Sequence, residues 1–119
     1  MRRLTPVLMA TGLLWSAASH AHSHLVSSVP ADKAELSTAP KEAVLTFAEG
    51  VVLASARLES TEGTKTALKP LPAGSVKEAQ VPLPALNPGR YRLQWRAASE
   101  DGHVMAGELS FVVNGPATR

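Results

Sequence analysis

Three of the chain's four histidines, His20, His22 and His24, fall within five residues of one another in the stretch SHAHSHLVSSVP. The fourth, His103, stands far downstream in SEDGHVMAG, two residues after Asp101. Imidazole nitrogen and carboxylate oxygen are donors for transition metals, so two short stretches hold most of the metal-binding chemistry this sequence can offer. What the first stretch can do depends on where the working chain begins.

Residues 1–21 have the three parts of an export signal. Arg2 and Arg3 precede an apolar run, LTPVLMATGLLWSAA, that is too short to span a bilayer and is broken by Pro6, Thr11 and Gly12. Ser19 and Ala21 then supply the small residues that a signal peptidase reads. The pattern predicts a signal peptide over 1–21, cleavage before His22 and one domain over 22–119. A cut there makes His22 the first residue, with a free amine and a ring Nδ1 that can close on one ion. An α-amine titrates near pH 7.7–8.0, about where a metal can displace its proton at little cost. Nitrogen donors in a square plane suit Cu(II), which also heads the affinity order of divalent first-row metals. His103 is the one histidine of 22–119 outside the cluster, and Asp101 can add an oxygen.

A second arrangement uses the first three residues alone. A chain beginning X-X-His can wrap Cu(II) with its amine, two deprotonated amides and the third imidazole, and His22-Ser23-His24 has that form. The folded site is preferred, because amide deprotonation competes with docking this segment as a strand. Taken singly, His103 reads as a solvated loop residue and Asp101 as a turn cap. A cut falling directly before a histidine is what couples the two stretches.

The elements that must bring them together are strands. Tyr91, Leu93, Trp95 and Ala97 alternate with Arg90, Arg92, Gln94 and Arg96, a period of two that describes a sheet with one dry face. Leu109, Phe111 and Val113 alternate likewise with Glu108, Ser110 and Val112. Asp101-Gly102-His103 falls in the turn between these runs, where Gly102 lets the chain bend. HLVSSV, AVLTFA, ASARLES and VKEAQVPL are weaker strands, and Pro82 and Pro84 push the last toward a sheet edge. EGTKTALKPLPAGS reads as a hairpin tip plus a loop, and ADKAELSTAPKEA as irregular chain with room for one helical turn. The sum is an all-β, immunoglobulin-like antiparallel β-sandwich (a Greek-key barrel) of about seven strands.

Composition narrows the function. Residues 22–119 hold ten basic and ten acidic side chains, so the net charge of +2 belongs to Arg2 and Arg3 and no basic tract invites nucleic acid. There is no cysteine, which excludes disulfides, thiolate metal sites and thiol catalysis. Met105 is the single methionine after the predicted cut, too few thioethers for a soft Cu(I) site.

HSHLVSSVPAD, AVLTFAEGV and above all GRYRLQWRAASEDGHVMAGELSFVV resemble the bacterial copper-resistance protein family CopC and its YobA-like relatives. Within Gly89–Val113 the specific parts are Gly-x-Tyr-x-x-x-Trp, then Ser-x-Asp-x-His, then Gly-x-x-x-Phe. The resemblance implies an immunoglobulin-like β-barrel in the periplasm that binds one Cu(II) through the N-terminal histidine, by amine and ring, together with the Asp and His of the loop. Those roles fall on His22, Asp101 and His103. It also implies delivery to an inner-membrane partner of the CopD type. Three features depart from the family, the first being His24, an added potential ligand that leaves the number of copper sites open. Residues 54–80 contain neither the Met nor the His that some relatives carry for Cu(I), and Val104 stands where proline often follows the histidine.

The sequence thus reads as a periplasmic Cu(II) carrier or buffer without catalysis. The alternative is a metal-free immunoglobulin-like assembly or adhesion module. Oxidative polysaccharide-cleaving enzymes also hold copper with an N-terminal histidine, but they need an exposed aromatic face. Here Phe47, Tyr91, Trp95 and Phe111 all sit at positions expected to be core.

Overall fold

The computed structural model describes residues 25–115. Seven strands follow one another there: β1 (Leu25–Val29), β2 (Ala34–Leu36), β3 (Glu42–Ser60), β4 (Lys65–Ala67), β5 (Ser75–Pro82), β6 (Gly89–Ser99) and β7 (Val104–Val113). They form one curled sheet in the order β1–β3–β6–β7–β2, with β4 and β5 also paired to β3. The all-β, seven-strand expectation holds.

Alternation sets which face turns inward. Leu93, Trp95 and Ala97 of β6 are buried, and so are Met105, Leu109, Phe111 and Val113 of β7, while Arg90, Arg92 and Arg96 project to solvent. Phe47 meets Trp95 edge to face with centroids 5.2 Å apart, a favoured geometry for two aromatic quadrupoles. Tyr91 stacks on Phe111 at 5.7 Å and donates its hydroxyl to the Asn87 carbonyl at 2.7 Å. That bond, reaching back four residues at a strand's start, is the device of a tyrosine corner. Nineteen apolar residues are buried in one cluster. At about 1.5–3 kcal/mol for each side chain of Leu or Phe size, that cluster does what disulfides do in many exported domains.

Gly107 marks the tightest packing. It lies opposite Trp95 in the β6–β7 ladder, and a Cβ there would stand 2.6 Å from Trp95 Cζ2. The indole occupies the space that any other residue would need.

Three expectations are corrected. AVLTFA and ASARLES are not separate strands but the two ends of β3, which runs nineteen residues. Its first half pairs with β1 and β5, and from Val51 it pairs with β6, with register shifts between Thr46 and Val51 and between Leu53 and Ser55. Such irregularities bend a strand and let it serve both sides of a curled sheet. The stretch 31–43 holds β2 rather than a helical turn, because Ala34–Leu36 completes the far edge against β7. That pairing is parallel, in a sheet expected to be antiparallel throughout. The proline-bearing β5 pairs only with β3 and is an edge, as expected.

Candidate metal centre

The loop that carries Asp101 and His103 is four residues long and joins Ser99, the last residue of β6, to Val104, the first of β7. Two backbone bonds close it: Ser99 N–H donates to the His103 carbonyl at 2.8 Å, and Gly102 N–H donates to the Ser99 carbonyl at 2.9 Å. Gly102 has φ +94°, in the left-handed region that a side chain disfavours. The turn therefore folds back tightly with Val104, and not proline, after His103.

Inside it, the Asp101 carboxylate is gripped from three sides. The Ser99 hydroxyl and the His103 backbone N–H both donate to Oδ1, the latter at 3.1 Å. Oδ2 lies 2.9 Å from the His103 ring Nδ1. The Ser99 hydroxyl, then the His103 backbone N–H, then its ring hold the Asp101 carboxyl far below the usual carboxylate range, since each donor favours the charged form. Both side chains face solvent, His103 at 80% exposure and Asp101 at 64%. With Nδ1 turned to the carboxylate, Nε2 is the ring nitrogen left open for a metal.

Ser99, which opens the Ser-x-Asp-x-His motif, is the participant whose role was not legible in the sequence. It follows Leu93, Trp95 and Ala97 on the inward parity of β6 and is buried to 7% exposure. A hydroxyl at the last inward position of an apolar row needs a partner, and the nearby carboxylate supplies one.

Register places this loop at the same end of the fold as the start of β1. Leu25 pairs with Phe47, the chain of β3 then bends, and Val51 pairs with Ser99. Of the expected site residues, Asp101 and His103 are together; His22 and His24 lie outside the described residues, as does the predicted signal segment 1–21. Among the described residues no three His, Cys, Asp or Glu side chains converge on one point. Met105, although only two residues beyond His103, is buried at 4% exposure and turned into the core. Phe47, Trp95 and Phe111 are core as expected.

Residues 25–114 match the CopC domain family. Protein YobA of Escherichia coli K12 is 36% identical over 98 residues, covering 78% of this chain and 79% of that protein. Copper resistance protein C of Xanthomonas campestris pv. juglandis is 38% identical over 119 residues, covering 92% and 93%. Among solved structures, CopC from Methylosinus trichosporium OB3b superposes with a TM-score of 0.68 at 29% identity, covering 76% of this chain and 92% of that one. With the domain matched over nearly all the described residues, and relatives 36–38% identical over most of both chains, this chain belongs to the CopC family.

Proposed function

We propose that this chain is an exported Cu(II)-binding protein of the periplasm that carries or buffers copper and performs no catalysis. Its signal peptide is residues 1–21, and its working domain begins at His22. One Cu(II) is held by the amine and ring of His22 and by the Asp101–His103 pair, with His24 as an additional donor. The single observation that carries this reading is the gripped loop: Ser99 fixes Asp101, Asp101 fixes the His103 ring, and Nε2 is left facing solvent. The start of β1 at the same end supports it. His22 lies three positions before Leu25, a reach of about 10 Å of extended chain. Relatives named copper resistance proteins support copper as the cargo, and the reading extends to delivery to an inner-membrane protein of the CopD type.

The test is a Cu(II) titration of protein beginning at His22 and of the same protein with one extra residue ahead of it. Inside a peptide bond the His22 nitrogen is planar and has no basic lone pair. The extended protein should fold identically by circular dichroism yet lose most Cu(II) affinity. Equal affinity removes the amine from the site. No stoichiometric Cu(II) binding by either protein favours the metal-free assembly module.

A further inference from the structure

The outer face beside the loop is organised in rows across β3, β6 and β7. Nearest the loop, Val52 pairs with Ala98 and Ala98 with Val104. Val52 and Val104 are 44% and 64% exposed, and Val104 directly follows His103. The next row is Ser55, Arg96 and Ala106; after it come Arg57, Gln94 and Glu108, then Glu59, Arg92 and Ser110. All four arginines of the described residues, Arg57, Arg90, Arg92 and Arg96, belong to this one face.

Its charges are unevenly engaged. Arg92 reaches both glutamates, Glu59 at 3.6 Å and Glu108 at 3.8 Å. Glu108 also accepts from the Gln94 amide at 3.3 Å. Arg57 and Arg96 make no ion pair among the described residues. They line an open groove of about 430 Å³ with Ser55, Gln94, Ala106 and Glu108. Along β7, His103 precedes Ala106 by three residues, so the Arg96 row begins roughly 10 Å from the proposed copper ligand.

We infer that this face docks the protein that exchanges copper with the loop, through carboxylates of that partner set against Arg57 and Arg96. The inference rests on the copper-carriage reading for the partner's role, and the face itself is read from its own geometry. Guanidinium forks pair bidentately with carboxylates, and an exposed apolar row bordered by charge is the anatomy of a protein interface core and rim. A lipid surface fits less well. The lysines Lys33, Lys41, Lys65, Lys69 and Lys77 are scattered, and two valines are too few to anchor in a bilayer.

The probe is a pair of acceptor peptides, each with an X-X-His head that takes Cu(II). One is followed by a glutamate tract and the other by a glutamine tract. Stopped-flow transfer from the copper-loaded protein at low ionic strength should be about tenfold faster to the glutamate peptide. Arg57→Glu/Arg96→Glu should erase that preference while its own Cu(II) titration stays at the wild-type value. Lys69→Glu/Lys77→Glu, with the same change in net charge, should keep it. Equal rates to both peptides, or equal loss in the two double variants, overturns the docking face. Sedimentation with phosphatidylglycerol vesicles that depends on Arg57 and Arg96, without a peptide preference, assigns the face to lipid instead. If the protein takes no Cu(II) at all, the carriage reading has failed. The face is then read by amide shifts of Gln94 and Ala106 on adding the metal-free glutamate peptide, and no shift there overturns it too.

Discussion

Asp101 Oδ2 and His103 Nδ1 stand 2.9 Å apart across a single glycine, so the carboxylate orients the imidazole and leaves Nε2 open for the proposed metal. Carboxylates that hold a ligating histidine are worth about 10–100-fold in metal affinity. Asp101→Asn keeps the shape and removes the charge. It should weaken Cu(II) binding by about that factor in a chelator competition at pH 7, and His103→Ala should weaken it further. His24→Ala should cost less than either. If His24→Ala changes the copper electron paramagnetic resonance spectrum and His103→Ala leaves it alone, the three-residue site holds the metal.

Because the Ser99 hydroxyl, and after it the His103 N–H and ring, depress the Asp101 carboxyl, this group is ionised at every pH where the protein is expected to work. A depressed folded-state value gives a stabilising contribution that is present above the unfolded value of about 3.9 and lost as pH falls through the folded one. At such an exposed site that contribution is small. Carbon NMR of the metal-free protein should find the Asp101 carboxylate still ionised at pH 3. Cu(II) affinity should nevertheless rise from pH 5 to 8, driven by deprotonation of imidazole and amine. A flat profile would count against nitrogen ligands.

Ser99→Ala removes one donor to Asp101 without touching a proposed ligand. The Asp101 carboxyl should titrate closer to an ordinary aspartate, and Cu(II) affinity should fall by about tenfold. The amide spectrum of the core should be preserved. Ser99→Thr, which keeps the hydroxyl, should recover most of the affinity. An unchanged Asp101 titration in Ser99→Ala would remove the serine from the site.

Gly107→Ala tests the packing rather than the loop. Its new methyl group would collide with the Trp95 indole, and overpacking of this kind costs about 1–3 kcal/mol. Thermal unfolding of the metal-free protein should move down by several degrees for each kcal/mol. The same melting temperature as wild type would mean that the indole yields freely.

Cu(I) should find no dedicated site. Met105 is 4% exposed and packed in the core, and there is no cysteine. Tight stoichiometric Cu(I) binding in a competition assay would contradict this.

The strands legible in the sequence were those that bury one face. Leu93, Trp95 and Ala97 against Arg90, Arg92 and Arg96 left little choice, and the Asp101–His103 loop followed from the two runs that flank it. Short edges were not legible. Ala34–Leu36 and Lys65–Ala67 are three residues each, too short to display a period, and exist because a longer strand offers them unpaired backbone. The continuity of β3 was hidden because its bend interrupts the alternation that would have joined its halves. Asp101 and His103 were visible as residue types. The role of Ser99 required knowing that β6 continues inward to its last residue.

The bend in β3 also works as a gauge. Phe47 is the last residue to hold β1 and Val51 the first to hold β6, so Ala48, Glu49 and Gly50 set the spacing between the start of β1 and the loop. One residue added there would reverse the inward parity of one half relative to the other or slide β1 along its neighbour. Insertions in the loops between β3 and β6 would leave the two ends of the proposed site in place, whereas this triplet should tolerate none. The length of a segment that supplies none of the proposed ligands would then decide whether the two halves of the proposed copper site can meet.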